Sequence, residues 1–144
     1  MSQRKLSVSE TRRVLTDIPF NRLLGMRVST THRDGVTIEC KIVARLLNKA
    51  RVLHGGVSAA LADAAVGIAL HRYFGDHRPI TTVEMKISYF RPVKQGRIFA
   101  RSRLLRVGST LCIGRVDLAD EQSRAIGTAL VTYMILSGPP PARA

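Results

Sequence analysis

The chain has 144 residues, 45% of them apolar and 23% charged, which suits one domain with one core and leaves no room for a second. With a mean hydropathy of +0.05 and only one low-complexity stretch, Gly138 to Ala144, a globally disordered chain is excluded. The net charge of +13 points to a phosphate-bearing partner or to adhesion on anionic surfaces, and charge alone does not choose between them.

No apolar run follows Met1 to Lys5, so a secretory or transit signal is not evident and a cytoplasmic protein is expected. Ser7-Val8-Ser9-Glu10 has the form of a capping box and predicts a short helix running to about Asp17, with Pro19 ending it. From Gly25 the period changes to two. Strands are expected over about 25 to 32 and 36 to 45, joined by a turn at Asp34-Gly35 and followed by a polar loop from Asn48 to Arg51. The segment His54 to Leu70 is rich in alanine and apolar almost all round, the pattern of a helix buried on most faces. It is too short to span a bilayer and carries Asp63. Alternation returns afterwards: Val83, Met85, Ile87 and Tyr89 share one face, then Ile98 to Leu104 and Cys112 to Leu118 alternate, and a last strand fits Ala125 to Leu136. The breaks lie at Gly75-Asp76, Pro92 to Gly96, Val107-Gly108 and Ala119 to Ser123. A short helix, two strands, one long helix and four strands make an α+β domain, in which one antiparallel sheet of about five to six strands wraps a long central helix. Such a sheet needs cover at its edges, so dimerisation is expected, perhaps by sheet extension. Cys40 and Cys112 stand alone in alternating segments, so no metal site is expected and both read as buried thiols.

Asp63 carries the most chemical information. A carboxylate among Ala, Leu, Val and Ile is costly unless something polar or reactive faces it, either an arginine partner or a substrate. Nine residues earlier, His54-Gly55-Gly56 opens the same helix. Two glycines at a helix N-terminus permit a sharp entry, and they leave amide groups that are able to meet a developing oxyanion. Taken singly, each of these features has a structural explanation as good as a catalytic one.

Together, Asn48 and the run His54, Gly55, Gly56, Leu61, Asp63 resemble the hotdog-fold acyl-CoA thioesterases, particularly the phenylacetate-degradation (PaaI) type. Thr82 to Pro92, ending in Phe90-Arg91-Pro92, looks like that family's third strand and exit turn. The resemblance covers about 25–136 and implies a hotdog domain there, which leaves the capping-box helix and lead-in over 1–24 and a flexible tail over 137–144. It implies a hydrolase releasing a carboxylic acid and CoA without a cofactor, assembled as a homodimer or dimer of dimers with sites between subunits. It gives Asp63 the part of base or nucleophile, the Gly55 or Gly56 amide that of oxyanion donor, and Asn48 that of holding the thioester or the water. Thr82 would orient that water, and His54 would support the site or polarise the carbonyl.

One carboxylate and one preorganised donor suffice for a reactive acyl group such as a thioester. No G-x-S-x-G, H-E-x-x-H or Walker pattern competes. The CoA phosphates have candidate partners in Arg91, Lys94, Arg106, Gly108 and Ser109, with Arg97, Arg101 and Arg103 on one strand face nearby; a plain solvated face is the other reading. Two alternatives complete the set: a non-catalytic acyl-CoA-binding or regulatory hotdog protein, and a nucleic-acid-binding domain. The last rests only on charge, against an aromatic content of 5%, no tryptophan and no recognised nucleic-acid motif.

Overall fold

The computed structural model describes residues 4–137; most of the expected tail therefore lies outside the described residues. Helix α1 (Val8–Asp17) starts as its capping box requires: Ser7 Oγ accepts the Glu10 amide at 3.2 Å and Glu10 Oε2 accepts the Ser7 amide at 2.7 Å. Pro19 does end this helix, but it also opens another, α2 (Pro19–Leu24), which the sequence pattern does not separate from its surroundings. Proline at the first helical position loses no intrahelical hydrogen bond and comes preset for helical φ.

Strands β1 (Arg27–His32) and β2 (Gly35–Lys41) form the first hairpin. Their turn is Arg33-Asp34, one residue earlier than expected, because His32 pairs with Gly35. Gly35 is needed for a different reason: a Cβ there would sit 2.0 Å from the Ser102 carbonyl oxygen. The second strand ends at Lys41 rather than near 45, and a 3₁₀ turn, Ala44–Leu46, leads into the Asn48 loop. Helix α3 runs from Gly55 to Phe74, four residues beyond the expected end. It is followed by β3 (Ile80–Tyr89), β4 (Arg97–Val107), β5 (Leu111–Asp120) and β6 (Ala125–Ile135).

All six strands form one antiparallel sheet in the order β1-β2-β4-β5-β6-β3. The chain leaves β2, passes through α3 and enters the sheet again at its far edge. Alternate residues of the central strands, such as Ile38, Ile98, Ala100, Val116 and Val131, are fully buried beneath α3, whose Leu61, Ala62, Ala65 and Val66 are equally buried. Helix and sheet approach closely at Gly114, where a Cβ would lie 2.7 Å from Val66 Cγ2. Cys40 and Cys112 are free and buried in this core, and burial pushes both thiols up in pKa. Among the described residues no helix is long and apolar enough to cross a membrane.

Strand β3 departs from the expected single apolar face. The β3–β6 register shifts between Thr82, opposite Tyr133, and Glu84, opposite Thr132. Val83 is the extra residue and is 47% exposed, while Met85 and Ile87 pack against the core. This bulge aims Thr82 at the same face as Tyr133, toward α3.

Candidate active site

Asp63 lies on α3 where Thr82 of β3 and Tyr133 of β6 reach it. It is half-buried and lines a cavity of about 310 Å³, whose walls include Ile18, Phe20, Ala64, Ile68, Ile80 and His71. Its Oδ1 accepts two hydroxyls, from Thr82 Oγ1 at 2.7 Å and from Tyr133 Oη at 2.8 Å. Among the described residues no arginine pairs with it; its polar surroundings are hydroxyls and a cavity. At the other end of this cavity, His71 Nδ1 lies 3.0 Å from Asp76 Oδ1. Burial holds the His71 imidazole below its ordinary pKa, and the Asp76 carboxylate opposes this.

A second group of expected residues assembles elsewhere. Asn48, Gly55, Tyr89 and Arg91 line a separate cavity of about 350 Å³. His54 is the N-cap of α3, with its Nδ1 accepting the Gly56 amide at 2.8 Å. In the neutral ring that acceptor role leaves the proton on Nε2. The Gly56 N–H is therefore occupied, whereas Gly55, the first helical residue, has no acceptor within the helix. Asn48 Oδ1 accepts the amides of Ala50 at 2.9 Å and Val52 at 3.3 Å. Its oxygen builds the loop, and no hydrogen bond among the described residues engages its NH₂. Tyr89 Oη donates to the Gly55 carbonyl at 2.6 Å and its ring lies against Gly55, fixing the start of the helix.

The structure thus brings Asp63 together with Thr82, and Asn48 together with Gly55, without joining the pairs. Gly55 and Asp63 are eight residues apart on one helix, roughly 12 Å along its axis. The expected CoA contacts are divided too. Arg91 lines the Asn48 cavity, and Lys94 lines a third one beside the β5–β6 turn. Arg106 is exposed near the end of β4, and Gly108 and Ser109 lie in the β4–β5 turn, at the end of the sheet that carries Thr82 and Tyr133. Three neighbouring arginines are bound within the chain: Arg97 to Glu39, Arg101 to Asp34 and Arg103 to Asp117.

Tyr133 and Tyr89 are the site residues that sequence reasoning missed as such. The sequence puts Tyr89 on an apolar strand face and within the Thr82-to-Pro92 segment, without giving it a role in the site. Tyr133 stands 70 residues from Asp63, and only the packing of β6 against α3 brings it near. Its place at an inward position of the last strand was the available signal, since a buried phenol needs a polar partner.

The model of the family described as the thioesterase superfamily matches residues 50–126, a segment holding α3 and most of the sheet. The chain belongs to the thioesterase superfamily. It is a hotdog-fold thioesterase: six antiparallel strands wrapped on one long helix. The medium/long-chain acyl-CoA thioesterase YigI of Escherichia coli is 29% identical over 133 residues, covering 82% of this chain and 86% of that relative. Mouse acyl-coenzyme A thioesterase 13 is 30% identical over 124 residues, covering 84% and 88%. Among solved structures, a mutant of the phenylacetic acid degradation protein PaaI from Thermus thermophilus superposes with a TM-score of 0.75 at 25% identity, covering 83% of this chain and all of that one. Asn48 falls just outside the matched segment, while Asp63, Gly55 and Thr82 fall within it.

Proposed function

We propose that this thioesterase hydrolyses acyl-CoA, with Asp63 as the general base in a site completed by a second copy of the chain. The observation carrying this reading is the Asp63 carboxylate on a largely apolar cavity wall, held by the Thr82 hydroxyl at 2.7 Å and paired with no cation among the described residues. A carboxylate facing an apolar cavity without a cation costs stability, and groups kept at such a cost are candidates for chemistry. The acyl group occupies the Asp63 cavity. Water adds to the thioester carbonyl as Asp63 takes its proton, and the tetrahedral oxyanion is received by the Gly55 amide and the Asn48 NH₂. Collapse expels the CoA thiolate, which is then protonated. The fixed amide donor at the positive end of α3 favours the oxyanion over the ground-state carbonyl.

Because the two half-sites are separate within one chain, the reading places the Asn48–Gly55 half of one subunit against the Asp63–Thr82 half of its partner. Support comes from β3, which lies at the sheet edge and is largely exposed along its length. An unpaired edge strand is a natural site of two-fold pairing.

The test is thiol release from a panel of octanoyl-, palmitoyl-, benzoyl- and phenylacetyl-CoA by the wild type and Asp63→Asn. Asparagine still accepts hydrogen bonds from Thr82 and Tyr133, so the fold is retained. Turnover of the best substrate is expected to fall about 10²- to 10⁴-fold, the usual contribution of a general base. A folded variant with undiminished turnover removes Asp63 from the mechanism.

A further inference from the structure

The mechanism just described makes no use of Tyr133, whose side chain has an unusual setting. It enters from β6, directly opposite Thr82, and is only 7% exposed. Its hydroxyl lies 2.8 Å from Asp63 Oδ1 and 2.9 Å from the Asp63 carbonyl oxygen. Of these acceptors the carboxylate is the stronger. Burial and the Asp63 charge both push the phenol up from its ordinary pKa, so it keeps its proton and serves as a donor.

The space for that hydroxyl is made by Gly67, one turn along α3 from Asp63. A Cβ at Gly67 would lie 2.6 Å from Tyr133 Oη and 3.2 Å from Cζ. Glycine in mid-helix is unfavourable relative to alanine, and its presence there calls for a spatial reason. The phenol supplies one. With Thr82 and Tyr133 both on Oδ1, no hydrogen bond among the described residues reaches Oδ2.

We infer that Tyr133 is a positioning residue for the Asp63 carboxylate, and that Gly67 exists to admit it. The two hydroxyls hold Oδ1, fix the plane of the carboxylate and leave Oδ2 to take the proton from water. This inference rests on Asp63 being the base. The titratable groups lining the cavity are Asp63, His71 and Tyr133, so a pH profile has to separate the first two.

The experiment measures kcat, KM and the acid limb of kcat with the best acyl-CoA of the panel. Tyr133→Phe keeps the ring and removes the donor. Its kcat is expected to fall about 10- to 100-fold, the scale of one hydrogen bond to a charged group, with KM little changed. The acid limb should move to higher pH, because the ionised base has lost a donor, and the same movement should appear in the His71→Gln background. Gly67→Ala should reproduce the defect through crowding of the hydroxyl, although alanine favours the helix. The double variant Tyr133→Phe/Gly67→Ala should be no worse than the poorer single, since both remove one contact.

If Asp63→Asn is inactive while Tyr133→Phe keeps its kcat and pH profile, the positioning role is overturned and the base survives. A lowered Tm with an unmoved profile overturns it equally. Should Tyr133→Phe fail to fold, Gly67→Ala decides by the same criteria. If Asp63→Asn retains full turnover, the base and the positioning role fall together.

Discussion

The ring of His54 takes the amide of Gly56 at 2.8 Å, so the histidine of the His54-Gly55-Gly56 run caps the helix whose first amide, that of Gly55, we propose as the oxyanion donor. A side-chain acceptor at the N-cap satisfies one of the donors that a helix start leaves unpaired. His54→Ala is expected to lower stability by about 1 kcal/mol, and His54→Asn, another side chain able to cap, to restore most of it. Thermal denaturation measures both. If stability is unchanged in His54→Ala, capping is not the contribution of this ring.

The same side chain shows how far sequence reasoning reached. Capping at Ser7 and Glu10 was legible because all its partners lie within four residues. The alternation of Ile38, Ile98 and Val116 was legible because a half-buried strand repeats every two residues. Where one residue served two elements, as Pro19 does in ending α1 and opening α2, the pattern gave only one boundary. The bulge at Val83 left no mark in composition, yet it turns Thr82 rather than Val83 toward α3. Asp63 stood out through its apolar neighbours, but its hydroxyl partners come from β3 and β6 and depended on a sheet order that local patterns do not encode. The arginines of β4 share one face in the sequence pattern, but the carboxylates that pair with them, such as Asp117, come from other segments and leave no local signal.

Glu10 gives the fold a pH dependence of its own. The Ser7 amide, the Ser7 hydroxyl and the Arg4 guanidinium hold its carboxyl down from 4.5 to about 2. Because the folded value is depressed, its stabilisation is complete above about pH 4.5 and disappears as pH falls through about 2. Glutamine retains the capping-box acceptor without the charge. The stability difference between wild type and Glu10→Gln should therefore be constant from neutrality to about pH 5 and close to zero near pH 2, as read by denaturant unfolding at each pH. A difference independent of pH would mean that the charge of Glu10 does not contribute.

The arginine pairing also redirects the expected CoA contacts. Arg101 and Arg103 already hold Asp34 and Asp117, so they are poor candidates for phosphates. Arg91 lines the Asn48 cavity and is exposed. Arg91→Gln should raise KM for acyl-CoA and leave KM for the matching acyl-pantetheine thioester unchanged. The KM increase should shrink with added salt, because exposed charges are screened over about 8 Å at physiological ionic strength. Arg101→Gln should leave both KM values alone. Equal KM values for the CoA and pantetheine thioesters in the wild type would assign the +13 charge to something other than the nucleotide.

The separation of Asn48 from Asp63 yields the most direct test of the assembly. Asn48→Asp keeps the oxygen that accepts from Ala50 and Val52, and so keeps the loop, while removing the NH₂ that would meet the oxyanion and adding a charge that repels it. Homogeneous Asn48→Asp and Asp63→Asn proteins should each be nearly inactive. In a heterodimer of the two, one site would combine the intact Asn48 of one subunit with the intact Asp63 of the other, and the second site would carry both defects. Random exchange makes half of the dimers mixed, each with one working site of two, so the exchanged mixture should recover about a quarter of wild-type activity. Recovery should follow the rate of subunit exchange and be absent when the proteins are assayed immediately on mixing. A fully exchanged mixture no more active than its parents would place both residues in a site made by one chain, despite the roughly 12 Å of helix between Gly55 and Asp63.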